Sequence, residues 1–441
     1  MAKAKSKKIM LEDAIVPVDE QPYHIPENWC WTRIKHVSDV VTGSTPSKKH
    51  AEYYGGDFPF FKPADLEAGD NVVEATEYLS EEGKNVSRII PKLSTAVCCI
   101  GSIGKTGLIR VEGTTNQQIN SMIPKINRLY LYYYSKSNVF IEELWNKSTA
   151  TTISLVNKKN METNTIPLAP LAEQKRIVEQ IESLFSKLDE AKEKAQEVID
   201  GYEARNAAVY NDAFSGRLTA QWRKDNYKEN KWETKRFDEV ADIKSNLVEP
   251  SNYLEFPHIA PDNIEKRTGI LLDYHTIAED GVKSRKHRFY AGQILYSKIR
   301  PYLSKVVMVD FDGLCSADMY PIEAKENTKY LLYYMLSDMF LEQASSAGSR
   351  SVLPKINQKE LSAIKVRITS DEEQKEVVRI LDYLLPMMQQ VRDKAVQVVD
   401  NIDAIKKSIL AKAFRGKLGT NIPEDESAME LLKIILNKGE C

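Results

Sequence analysis

Tyr130-Leu-Tyr-Tyr-Tyr-Ser-Lys-Ser-Asn-Val-Phe-Ile-Glu142 and Tyr330-Leu-Leu-Tyr-Tyr-Met-Leu-Ser-Asp-Met-Phe-Leu-Glu342 are two versions of one segment, displaced by 200 residues. From there the register holds without a gap to the end of the motif. Asn157 falls on Asn357, Glu173-Gln174-Lys175 on Glu373-Gln374-Lys375, and Ala213-Phe-Ser-Gly-Arg-Leu218 on Ala413-Phe-Arg-Gly-Lys-Leu418. Upstream the match needs small gaps, with Trp31 set against Trp232 and Phe58-Pro-Phe-Phe61 against Phe256-Pro-His-Ile259. A period this long exceeds that of any solenoid repeat, so the chain is a duplicated unit: a globular lobe followed by a long helix.

The helices carry a coiled-coil stripe. Ile177, Ile181, Leu184, Leu188, Ala191, Ala195 and Val198 are spaced alternately four and three, and Val377, Leu381, Leu384, Val391, Val398 and Ile402 continue the pattern in the second copy. A continuous helix of about 40 residues spans roughly 60 Å, the length of a spacer. Pro386 is expected to kink or restart the second helix, and Gly201 to weaken the first. The simplest partner for each stripe is the other, antiparallel; pairing between chains is the alternative.

The lobes, Trp31 to Ile166 and Trp232 to Ile368, mix short β-like runs with turn residues and read as α+β. A helix from about Tyr130 to Lys147, matched by Tyr330 to Ser346, closes each, its tyrosines read as core. The parts are then an N-terminal extension (1–25), a first lobe (26–168), a central helical spacer (169–222), a second lobe (228–369), a C-terminal helical spacer (370–418) and a tail with a short helix (419–441).

A net charge of −2 is unlike that of a simple cation-coated nucleic-acid binder, so the distribution of charge matters more than its total. Lys283, Arg285, Lys286, Arg288, Lys298, Arg300 and Lys305 occur in a stretch free of Asp and Glu. Lys84, Arg88, Lys92, Lys105 and Arg110 do the same in the first copy. Matched basic runs fit phosphate neutralisation, and amides just downstream fit base reading. The candidate DNA-contacting residues are Lys62, Ser102, Lys105, Thr106, Gln117, Gln118 and Asn120 in the first lobe, and Lys283, Arg285, Lys286, Lys298, Arg300, Lys305 and Arg350 in the second.

Reaction machinery is not legible. Gly101-Ser-Ile-Gly-Lys-Thr106 ends like a phosphate-binding loop, but Cys99 stands where its first glycine belongs, and the second copy has no Gly-Lys-Thr. The glycine-rich and Pro-Pro-aromatic loops of a DNA methyltransferase are absent from the sequence, and Pro261-Asp262 is not followed by a nuclease's Asp/Glu-x-Lys. Five cysteines without a C-x-x-C pair suggest neither a disulfide framework nor a zinc site, and no catalytic residue or metal ligand is assigned. The lack of any long apolar run predicts no membrane span, and the basic start lacks the apolar core of a signal peptide, so a cytoplasmic location is expected.

Pro26-Glu-Asn-Trp-Cys-Trp31, Thr42-Gly-Ser-Thr-Pro46, Pro167-Leu-Ala-Pro-Leu-Ala-Glu-Gln-Lys-Arg-Ile177 and Ala213-Phe-Ser-Gly-Arg-Leu218 together resemble the specificity (S) subunit of type I restriction-modification systems, over nearly the whole chain. The resemblance implies two target recognition domains, each reading half of a bipartite site in double-stranded DNA, and a pseudo-two-fold antiparallel coiled coil that sets the spacer. It implies a non-catalytic chain working with two modification (M) subunits and with restriction (R) subunits. S-adenosylmethionine, ATP and Mg would be bound by those partners and none by this chain. A DNA-binding regulator or scaffold dimerising through its arms is the competing reading.

Overall fold

The computed structural model describes residues 10–149, 154–229, 231–347 and 354–438. Arg350 and Cys441 lie outside them. Each lobe is α+β and repeats one topology. In the first, Ser38–Thr42, Ile119–Pro124, Thr95–Cys98 and Thr106–Leu108 form an antiparallel four-stranded sheet in that spatial order. Its packing partner orders Glu77–Leu79, Tyr54–Phe61, Gly113–Thr115 and Ile89–Ile90, with the central pair parallel. The second lobe matches the first sheet with Ala241–Ile243, Met319–Ala324, Ile294–Ser297 and Val306–Met308. Its other sheet keeps the parallel pair as Pro257–Ile259 beside Gly313–Cys315. The central strands are buried at every position, as in Thr95–Cys98 and Ile294–Ser297, so both of their faces are covered rather than one.

A two-stranded ribbon ties the ends of each lobe together: Cys30–Arg33 with Thr165–Leu168, and Glu233–Arg236 with Lys365–Ile368. Its register corrects the sequence alignment. Cys30 faces Leu168 as Glu233 faces Ile368, so Trp29, not Trp31, is the counterpart of Trp232. Both indoles donate from Nε1 to the buried glutamate that opens their own copy's long helix, Trp29 to Glu173 at 2.7 Å and Trp232 to Glu373 at 3.0 Å.

The tyrosine-rich helix expected to close each lobe is two helices. Arg128–Ser135 and Asn138–Asn146 are separated at Ser137, whose Oγ accepts from Phe140 N; Thr328–Leu336 and Asp338–Ala347 are separated at Ser337. A serine hydroxyl that satisfies a backbone N–H offers the chain a new helix start in place of continuation. Tyr130, Tyr132, Tyr134, Tyr330 and Tyr334 are buried.

The chain folds as two compact units, and they do not follow the linear repeat: one comprises residues 1–194 with 398–441, the other 195–397. In the first unit, Phe414 from the end of the second copy's helix lies edge-on to Tyr130 and Tyr134, at 5.1 and 5.0 Å between ring centroids. In the second, Phe214 does the same to Tyr330 and Tyr334 at 5.3 and 5.0 Å. Each lobe is therefore closed by the end of the other copy's arm. Within each unit the helical segments run antiparallel. Arg176 meets Thr420 and Asp425 while Asp189 meets Lys406; Tyr202 meets Gln389 while Arg223 meets Glu373.

Gly201 interrupts the first arm between Leu171–Asp200 and Tyr202–Phe214, in line with its weak helix propensity, whereas Asp371–Ala413 is one helix that does not restart at Pro386. Pro386 is exposed, so water can satisfy the carbonyl it leaves without a donor. The stripe is also rotated in the second arm. Ile177, Ile181, Val377, Leu381 and Ile402 are buried, and Leu184, Leu188, Val198 and Leu384 partly so, but Val391 and Val398 are 51% and 43% exposed. Arg392 and Lys406 take inward positions instead, their cations 5.1 Å from the ring centroids of Tyr202 and Phe185. Long cationic side chains cover apolar surface with their stems, which turns the neighbouring valines outward.

Candidate nucleic-acid interface

In the first lobe three segments converge at one end of the four-stranded sheet: the strand exit Thr42–Pro46, the Ile100–Lys105 hairpin connection and the Asn116–Gln118 turn. The first and third are bound through Gly43 N to Ile119 O at 3.0 Å and Ser44 N to Thr115 O at 2.9 Å. A Cβ on Gly43 would lie 2.1 Å from Asn116 O, so glycine is required for this approach. At the rim, Thr45 Oγ1 donates to Gln117 Oε1, and Asn116 Nδ2 donates to Gln118 Oε1 at 3.0 Å. Exposed Ser47, Lys48 and Lys49 follow.

The candidates from sequence divide accordingly. Ser102 and Gln117 are exposed and Gln118 half-buried on this rim. Asn120 is 2% exposed, its Oδ1 accepting from Thr42 Oγ1 at 2.7 Å, and Thr106 is buried with Oγ1 donating to Gly104 O at 3.0 Å. Both are framework residues, a correction to their reading as DNA contacts, because a buried polar atom already paired has nothing to offer a base. Lys105 pairs with Glu67 at 2.6 Å and Lys62 with Glu77 at 2.8 Å. Acids distant in sequence neutralise cations that the charge run left unopposed.

The second lobe repeats the rim with other chemistry. Lys298, Ile299 and Arg300 leave the sheet beside the Ser316–Asp318 turn, with Lys298 N donating to Asp318 O at 3.0 Å. Arg300 is exposed, in the left-handed region at φ 47°. Lys298 Nζ donates to Ala317 O and lies 5.1 Å from the Tyr320 ring centroid. Burial, then the neighbouring Lys355, pulls its ammonium below the ordinary lysine range. Lys305 donates to Pro261 O at 2.6 Å. Lys283 is exposed, and Arg285 is exposed but paired with Glu249. Lys286 is 8% exposed, donates to Ser284 Oγ at 2.7 Å and is pulled down by burial, which takes it out of the accessible set. Sequence reasoning missed Thr45, Asp318 and Lys355. The Thr42–Pro46 motif was the available signal for the first; the other two needed the fold.

Among the described residues no group of three or more His, Cys, Asp or Glu side chains is placed to hold a metal, and no helix is long and apolar enough to cross a membrane.

Two α+β lobes with one framework and chemically different polar rims, each followed by a long helix, define a duplicated recognition protein. The type I restriction modification DNA specificity domain matches twice, at residues 26–199 and 229–394. The chain is 39% identical over 420 residues to the EcoDI type I restriction enzyme specificity subunit of Escherichia coli, covering 89% of each chain. It is 24% identical to the MjaIX specificity subunit of Methanocaldococcus jannaschii over 89% of this chain and 94% of that one. The crystal structure of the HsdS subunit from Thermoanaerobacter tengcongensis shares the fold, with a TM-score of 0.67 at 17% identity over 91% of this chain and 100% of that one. The chain belongs to the type I restriction-modification DNA specificity family.

Proposed function

We propose that this chain is the sequence-reading subunit of a type I restriction-modification complex. Each lobe reads one half of a bipartite site in double-stranded DNA, and the antiparallel helices fix the separation of the halves. One observation carries this reading: the two lobes share a framework down to the Trp29–Glu173 and Trp232–Glu373 hydrogen bonds, yet their rims present different side chains. Shared framework with divergent rims is what two different half-sites require.

In this reading the chain performs no chemistry. Two modification subunits bring S-adenosylmethionine and methylate adenine, and restriction subunits bring ATP and Mg, all in the cytoplasm. Tyr383, Met387 and Val391, spaced by one turn along an exposed face of the second helix, supply apolar surface for a helix of such a partner.

The test is a lobe exchange. Replacing residues 31–166 with the equivalent lobe of a relative, and mapping methylated adenine in cells that also express the modification subunit, should change one half of the motif and keep the other half and the spacer. A change in both halves would refute modular reading. Failure to co-purify with a modification subunit would favour an independent DNA-binding scaffold.

A further inference from the structure

The rims can be compared position by position, because the backbone pairings repeat. Cys99 N donates to Gln118 O at 2.7 Å where Lys298 N donates to Asp318 O, and Val156 N donates to Cys99 O at 2.8 Å where Ile356 N donates to Lys298 O at 2.9 Å. Cys99, Gln118 and Leu155 therefore correspond to Lys298, Asp318 and Lys355. The first set is neutral. The second is an ion triad: Asp318 Oδ1 lies 3.0 Å from Lys355 Nζ and 3.9 Å from Lys298 Nζ.

The triad is ordered on one side and open on the other. The Lys298 side chain is 14% exposed, held over Tyr320 with its ammonium on Ala317 O, whereas the Asp318 and Lys355 side chains are each 47% exposed. The backbone N–H of Asp318 fixes the turn by donating to Ser316 Oγ at 3.2 Å. A carboxylate on a surface that meets DNA is repelled by the phosphates, and its favourable partner on a base edge is an exocyclic amine. Lysines beside it screen that repulsion, and each keeps donors for guanine O6 and N7.

We propose that Lys298, Asp318 and Lys355 form a reader of one G·C pair in the half-site of the second lobe. Asp318 accepts from cytosine N4, and Lys355, steadied by the carboxylate, donates to guanine. The inference rests on the proposed function, and names residues within it. Since the first lobe carries Cys99, Gln118 and Leu155 at these places, it does not impose the same requirement at its corresponding base pair.

The experiment uses the full chain assembled with its modification subunits. The methylated motif is mapped in cells for the unaltered chain, Asp318→Asn and Lys355→Met, and methylation of duplexes carrying each substituted base pair is measured with the purified complexes. At one G·C position in the second lobe's half-site, discrimination against other pairs should fall roughly ten- to hundredfold in both variants, with the other half unchanged. An unaltered motif in both variants, with or without weaker binding, would overturn the inference, as would relaxation confined to A·T positions or spread over both halves. Asp318→Asn preserves size, and Lys355 is on the surface, so thermal melting of the two variants should match the unaltered chain. If the unaltered chain confers no methylated motif, the functional reading fails, and that result is separate from failure of the triad.

Discussion

Glu173 and Glu373 are buried carboxylates at the foot of the two long helices, 0% and 1% exposed. Their partners differ between units. Glu373 accepts from Trp232, Thr219, Thr369 and the Arg223 guanidinium, whereas Glu173 accepts from Trp29, Asn421 and Thr420, with no cation paired to it among the described residues. Glu373→Ala strands Arg223, whose side chain is 13% exposed, and is expected to cost about 3–5 kcal/mol, read as a lower denaturant midpoint for the second unit. His36 gives a pH-dependent counterpart. Burial, then Lys35, Arg33 and Lys125, lowers its pKa to about 4, so the folded chain holds it neutral while the unfolded chain takes up a proton near its ordinary value of about 6.5. Its contribution is complete above about pH 6.5, is lost as pH falls toward about 4, and is constant below that. The loss should amount to about 1–3 kcal/mol, and His36→Gln should flatten the acid side of the stability profile measured by urea unfolding.

At the scale of elements, the second long helix separates two readings of one spacing. A four-three stripe through Val391 and Val398 and one through Arg392 and Val399 have the same period, and the structure uses the latter. Ile402→Ala should therefore cost about 2–4 kcal/mol, while Val391→Lys should change stability of the free subunit by under about 0.5 kcal/mol. Equal effects from both would place the seam where the apolar pattern alone puts it. Pro386 offers a second check. It removes a donor from a helix that continues regardless, so Pro386→Ala should stabilise the chain by about 1–3 kcal/mol in the same assay.

For the whole molecule, the decisive feature is the exchange of helix ends between copies. Phe414 is 1% exposed among the tyrosines of the first lobe, although it is distant from them in sequence. Phe414→Ala should cost about 3–5 kcal/mol and do so locally. Hydrogen exchange should accelerate in Arg128–Ser135 and leave Thr328–Leu336 unchanged. Phe214→Ala should give the mirror result. A linear arrangement, each lobe packed on its own arm, would reverse both outcomes.

The amino-acid sequence by itself determined the duplication, the α+β lobes, the long helices and the positions of the basic runs. These are written in local periodicity and in the gap-free match from Tyr130 to Leu218. It also marked the rim residues Ser102, Gln117 and Gln118, because polar side chains clustered at turns are visible in one dimension. Only the tertiary structure decided which cations stay free, since Glu67, Glu77 and Glu249 reach Lys105, Lys62 and Arg285 from other segments. It alone paired Trp29 with Glu173, buried Asn120, and brought Lys355 to Asp318. The same holds for the exchanged Phe214 and Phe414. A repeat records what each copy contains, while which copy's helix end fills which lobe depends on where chain reversal delivers it, and that is a property of packing.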